Sequence, residues 1–167
     1  MKTFIFLPLI FLLPLNILSA SNKFELSGKV ISIKDGDTIV ILNNNKQTVI
    51  RLAHIDCPEK NQPFGTAAKK FVSQLCFNKN VIVNGSSFDR NKRLIAEVFL
   101  LDGKNLNQEL VKAGLAWHFK KYSSSLEYAR LELIARTKNI GLWSESNPIP
   151  PWLWRKSKRV TFAHHEK

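Results

Sequence analysis

The chain has 167 residues, 44% of them hydrophobic and 23% charged, which suffices for one substantial core and points to a single domain. Its 25 Lys and Arg against 13 Asp and Glu leave a formal charge of +12. That balance indicates an anionic partner, either nucleic acid or a membrane surface. Two cysteines and four scattered histidines contain no Cys-x-x-Cys or His-x-x-x-His spacing, which excludes a zinc module.

Residues 1–20 run from Lys2 through an apolar stretch broken by Pro8 and Pro14 to Leu18-Ser-Ala20. This is the order of a signal peptide, and the apolar run is short of the roughly 20 residues that span a bilayer. Cleavage is expected after Ala20, giving an exported protein, periplasmic or extracellular, with a charge of +11 and no stable membrane association. Retention of the segment would instead make a membrane-anchored surface protein. Export permits a disulfide between Cys57 and Cys76, although Cys76 on an apolar helix face equally suits a buried free thiol.

In the mature chain, 26–33 alternates as a strand, Lys34-Asp-Gly-Asp37 is a turn, and 38–42 is a β-branched strand. Asn43-Asn-Asn45 supplies a hairpin turn into a third strand over 46–54. From 64 to 77 the period changes: Ala68, Phe71, Val72, Leu75 and Cys76 share one helix face, with Lys69 and Lys70 on the other. Strands follow at 81–83 and 94–101, separated by the basic turn Asp89-Arg-Asn-Lys-Arg93. A short helix carries Leu106, Leu110 and Ala113 and stops at Gly114, and a third spans 124–137 with Leu126, Ala129, Leu133 and Ile134 inward. Segment 148–155 is too rich in proline for a helix, so its tryptophans should cap the core, and 155–167 should be a mobile basic tail. Five strands with three helices make an α+β fold, a five-stranded OB-fold barrel filling 21–154.

Charge chemistry collects at strand ends. Arg51-Leu-Ala-His-Ile-Asp-Cys-Pro-Glu59 places a planar guanidinium and two carboxylates within nine residues, a set suited to a hard metal ion and a phosphate. Taken singly, Asp37 reads as a turn former, Asp56 as a strand-end cap and Arg93 as a solvated charge. Trp117, His118 and Tyr122 could equally line a groove or fill the core.

The ordered series Asp35-Gly-Asp-Thr38, Arg51-Leu-x-x-Ile-Asp-x-Pro-Glu59, Phe64-Gly65, Asp89-x-x-x-Arg93-Leu-x-Ala96, Gly114-Leu-Ala116 and Gly141-Leu-Trp143 resembles the staphylococcal nuclease (thermonuclease) family over about residues 26–154. The resemblance implies a monomeric, calcium-dependent endonuclease, a phosphodiesterase of the micrococcal nuclease type that cuts DNA and RNA to 3′-phosphate ends. It assigns Ca2+ to Asp37, Asp56 and the main-chain carbonyl of Cys57, catalysis to Arg51, Glu59 and Arg93, and a neighbouring phosphate to Arg90. Two departures stand out: Lys92 replaces the family's usual glycine before Arg93, and Asn91 replaces a frequent tyrosine. The alternative from another class is a catalytically inactive OB-fold module that only binds nucleic acid.

Overall fold

A computed structural model describes residues 24–165, so the expected signal peptide lies outside the described residues. Five strands close a barrel: β1 (Phe24–Ile33), β2 (Thr38–Asn43), β3 (Lys46–Leu52), β5 (Asn80–Phe88) and β6 (Leu94–Leu100), in the order β1-β2-β3-β6-β5. All neighbours are antiparallel except β3 and β6, which run parallel and set Arg51 opposite Ile95. The β2–β3 hairpin turns on Asn44 and Asn45, at φ 45° and 61°. Asparagine tolerates this left-handed region better than most residues, which is why the triplet forms a tight hairpin. Alternation sends Ile39, Ile41, Ile50, Val81, Val83, Leu94 and Val98 into the barrel, where they are buried.

The third strand ends at Leu52, earlier than the sequence pattern suggests, because His54 turns at φ 68°. A two-residue strand, β4 (Ile55–Asp56), then pairs with β7 (Trp117–His118) in a separate small sheet. Helix α1 (Gly65–Cys76) buries Ala68, Val72 and Cys76 as its period requires. Helix α2 (Leu106–Lys112) is capped by Asn105, whose side chain accepts from the Asn107 and Gln108 amides. The fully buried Asn107 donates to the carbonyls of Ala53 and Ala96 and accepts from the Val98 amide, riveting the end of β3 to β6.

Helix α3 (Leu126–Thr137) is rotated from the apolar face its sequence suggests. It buries Tyr128, Leu131, Glu132 and Ala135, while Leu126 is 85% exposed and Leu133 faces solvent. Polar anchors set the rotation: Tyr128 donates to Glu97 at 2.6 Å and Glu132 accepts the His118 amide at 3.2 Å. The largest correction is at the C-terminus. Pro151–His165 is a fourth helix, α4, so the three expected helices are four, and 155–165 is helical where a mobile tail was expected. Pro151 opens the helix, where a missing N–H costs nothing, and Pro148 and Pro150 lie before it. The tryptophans do cap the core: Trp117 meets Trp143 and Trp152 edge to face, with centroids 4.4 and 5.6 Å apart.

Two glycines bring α2 and the turn after α3 (Gly141–Ser144, a 3-10 turn) into backbone contact. Gly114 (φ 62°) accepts from the Leu142 amide at 2.8 Å, and a Cβ there would lie 2.0 Å from the Ile140 carbonyl oxygen. Gly114→Ala therefore combines left-handed strain with a backbone clash and is expected to lower unfolding free energy by about 2 kcal/mol or more, measured by urea titration.

Candidate active site

The β2–β3 register pairs Thr38 with Arg51, which places Asp37 beside the end of β3. From there the Arg51 guanidinium reaches Asp37 Oδ2 at 3.0 Å and Asp56 Oδ1 at 2.8 Å, while its Nη1 donates to the carbonyls of Leu52 and Ile55. The side chain is only 14% exposed. Burial pulls its pKa down, but Asp37 and Asp56 more than offset this and hold it raised. Asp56, itself buried, has its pKa pushed up by burial against the pull of Arg155 and Arg51. Asp35, next to this pair, is pushed up to about 6 by burial and by the charge of Asp37.

Asp37 Oδ2 also accepts the Cys57 amide at 2.8 Å, which brings the main chain of residue 57 against the carboxylate. The Cys57 thiol is buried, and burial raises its pKa well above the ordinary thiol value. Cys57 and Cys76 are both free, so the second of the two cysteine readings holds. Among the described residues, no group of three or more His, Cys, Asp or Glu side chains is arranged to hold a metal ion. A cation at this place would take two carboxylates and the Cys57 carbonyl, an oxygen set of the kind hard divalent ions prefer.

Glu59 is positioned by the loop that follows Pro58. Its amide donates to the Gln62 side chain at 3.1 Å, and its carbonyl accepts the Gln62 amide at 2.9 Å. Helix α1 begins hard against that carbonyl, since a Cβ on Gly65 would lie 1.9 Å from it. The carboxylate itself meets a residue that sequence reasoning assigned to the tail. Arg155, on α4, donates to Glu59 Oε1 at 2.7 Å and to Asp56 Oδ2 at 2.8 Å. No periodicity marked this residue, because a basic run after a proline-rich stretch carries the same signature as a solvated terminus.

Arg93 stands at the rim. The parallel β3–β6 pairing brings the start of β6 alongside Arg51, and Arg93 extends a weak 3.5 Å contact to Thr38 Oγ1, which in turn donates to Asp37. Asp89 holds it from the other side, accepting from its Nε at 2.8 Å. Lys92 takes φ 60°, so the turn keeps the conformation a glycine would favour, and Asp89 stabilises it by accepting the Asn91 and Arg93 amides. Arg90 is exposed on this turn. Trp117 and His118 belong to the core, whereas Tyr122 is 71% exposed.

The raised Asp35 has a consequence for stability. Its folded pKa near 6 exceeds its ordinary 3.8, so the native state holds this proton more tightly and its contribution to stability is lost as pH rises from about 4 through 6. In chelating buffer, Asp35→Asn is expected to be more stable than wild type above about pH 6, with the difference closing below about pH 4, as read from denaturant midpoints.

Comparison with known proteins follows the same lines. A family model described as "Staphylococcal nuclease homologue" matches residues 49–145. The chain is 40% identical over 153 residues to an uncharacterized endonuclease of Haemophilus influenzae, covering 91% of this chain and 85% of that protein. It is 33% identical to a micrococcal nuclease of Shigella flexneri, covering 86% and 88% of the two chains. A staphylococcal-like nuclease of Arabidopsis thaliana is 39% identical over 114 residues, 68% of this chain and 35% of that one. With a closed five-stranded barrel and its charged groups gathered at one end of β2 and β3, the chain belongs to the staphylococcal nuclease homologue family.

Proposed function

We propose that the protein is an exported, monomeric, calcium-dependent endonuclease that hydrolyses DNA and RNA to leave 3′-phosphate ends. The observation that carries this reading is the convergence of Asp37 and Asp56 on Arg51, with Glu59 joined to Asp56 through Arg155, four groups drawn from the turn before β2, from β3, from β4 and from the following loop. Relatives named endonuclease and micrococcal nuclease support it, as does the formal charge of +12, which favours a phosphate-rich substrate.

The donor set suits a hard cation. Asp37 and Asp56 are buried acids turned toward one guanidinium, with a main chain, that of Cys57, held beside Asp37. Bound by Asp37, Asp56 and the Cys57 carbonyl, Ca2+ would supply Lewis-acid neutralisation of the phosphate's charge. Glu59, anchored through both its amide and its carbonyl, orients the attacking water and accepts its proton. Arg51, on β3, and Arg93, in the turn just before the adjacent β6, donate to the non-bridging phosphate oxygens as charge grows on them. Arg51 Nη1 is held by two backbone carbonyls and Nη2 by Asp37 and Asp56, so a phosphate is met through Nε or by exchange with a carboxylate. Water attacks phosphorus, the bond to the 5′ oxygen breaks, and the phosphate stays on the 3′ side. Recognition through phosphates gives little base specificity.

The test is cleavage of single- and double-stranded DNA with calcium, magnesium or chelator, followed by analysis of the ends. Calcium-dependent cutting to 3′-phosphate ends is expected, with Arg93→Ala about 10³- to 10⁵-fold slower and Glu59→Ser about 10²- to 10⁴-fold slower. Products with 5′-phosphate ends would assign other chemistry to the fold, and binding without cutting under every metal would favour the inactive module. Export predicts that the protein recovered from its native compartment begins at Ser21; recovery with residues 1–20 intact in a membrane fraction would refute it.

A further inference from the structure

Arg155 reaches the acid cluster from outside the barrel, on a helix that carries no other group of the proposed chemistry. We infer that Arg155 is a tethered cation that competes with the divalent ion for Asp56, so that α4 sets how tightly the site holds its metal. The inference rests on the proposed calcium site and deepens it by naming a regulator of that site within the chain.

Asp56 is 1% exposed, and both of its oxygens accept from arginine. Oδ1 takes Arg51 Nη2 at 2.8 Å and a longer 3.4 Å contact from Arg155 Nη1, while Oδ2 takes Arg155 Nη2 at 2.8 Å. Asp37 is engaged as well, with Oδ2 between Arg51 and the Cys57 amide and Oδ1 accepting from Thr38. A carboxylate oxygen has a second lone pair, but a divalent ion placed there would stand beside a guanidinium, and like charges screened from water repel strongly. A cation on both carboxylates therefore exchanges with a guanidinium instead of joining it. The two arginines are unequal in this. Withdrawing Arg51, 14% exposed, would strand a buried charge and break its bonds to the Leu52 and Ile55 carbonyls. Arg155 is 40% exposed, so water can take over its donors when it leaves. Asp56 Oδ2, on the Arg155 side, is the oxygen at which exchange costs least.

The helix delivers Arg155 firmly. Trp152 packs on Trp117 and Phe119 with centroids 5.6 and 5.4 Å away, and one turn later Arg155 meets the acids. Gln62, which accepts the Glu59 amide, also donates to the Ile149 carbonyl just ahead of the helix. A tethered charge acts at high effective concentration, and a free ion must outcompete it. The bridge also needs a planar fork, with Nη1 on Glu59 at 2.7 Å and Nη2 on Asp56 at 2.8 Å, which lysine does not supply. Competition of this kind is reciprocal: whatever Arg155 subtracts from metal affinity, bound metal subtracts from the hold on α4. Trp152 packs without help from the arginine, so the turns after it can loosen while the start of the helix stays docked.

The experiment reads metal binding apart from cutting. Calcium is titrated calorimetrically into the purified protein without nucleic acid, for wild type, Arg155→Met, Arg155→Lys and Lys156→Met. Arg155→Met should bind calcium about 5- to 150-fold more tightly than wild type, the usual size of a coupling between two ligands of one protein. Arg155→Lys, a point charge without the fork, should fall between them. Lys156→Met removes the same charge from an exposed neighbouring position and should bind as wild type does, which separates the contact from the general field of the helix. Hydrogen exchange supplies the reciprocal reading: saturating calcium should speed amide exchange after Arg155 in wild type, against the usual protection by a ligand, and leave it unchanged in Arg155→Met. Circular dichroism checks that the variants fold, and if Arg155→Met does not, Arg155→Lys and the wild-type exchange decide. Equal or weaker calcium binding by Arg155→Met, or a gain matched by Lys156→Met, overturns the inference and leaves the calcium site standing. If neither wild type nor Arg155→Met binds calcium, the calcium reading itself fails and takes the inference with it.

Discussion

A guanidinium buried between two carboxylates is the constraint on which the rest of the site depends. Arg51 is taken almost wholly from water, and a buried charge persists only when it is paired and its donors are satisfied. The chain meets that demand from three places at once: Asp37 in the turn before β2, Asp56 in β4, and the carbonyls of Leu52 and Ile55 on either side of the turn at His54. These partners fix where β3 must end and how β4 must return. Gly36 contributes by having no side chain, since a Cβ there would lie 2.8 Å from both Cys57 and Ala68, closing the space in which α1 packs against the turn. Packing and polarity are therefore inseparable here, and a change to any of these groups would leave a buried charge without its counterpart.

The parts of the molecule legible in the sequence are those in which one local rule decides. The meander of β1, β2 and β3 follows from alternation and an Asn-Asn-Asn turn, and α1 follows from a clean helical period. The barrel class could be anticipated from the element order, and the grouping of Asp37, Arg51 and Asp56 from the motif series that resembles the nuclease family. Where two rules compete, reading fails. The apolar residues Leu126 and Leu133 suggested an inward face for α3, yet hydrogen bonds from Tyr128 and to Glu132 fix the opposite rotation. Proline suggested irregular chain at 148–155, yet proline at the first position of a helix is neutral, so α4 begins at Pro151.

The turn before Arg93 shows how a departure from a family pattern can leave geometry unchanged. A lysine in the left-handed region costs about 1–2 kcal/mol relative to the ordinary helical conformation. At Lys92 the φ of 60° is nonetheless held, because Asp89 accepts the amides on both sides of it and the Arg93 side chain as well. One carboxylate thus overdetermines the turn and aims the arginine at the same time. The lowered pKa of Asp89, set by these hydrogen bonds against the opposing effect of burial, belongs to the same arrangement.

The two arginines on Asp56 are not equivalent, and the difference assigns them different work. Arg51 comes from a barrel strand, is pinned by two carbonyls and can change position only if β3 and β4 separate. Arg155 comes from a terminal helix, is 40% exposed, and bridges Asp56 to Glu59 across a gap of nearly a hundred residues. Helix α4 is held by Trp152 against Trp117 and Phe119, so this aromatic packing and the partner of Glu59 belong to one element. A phosphate arriving at Glu59 would meet the Arg155 guanidinium, and through it the helix that Trp152 anchors. Coupling of that kind needs no distant pathway, because a single turn of helix separates Trp152 from Arg155.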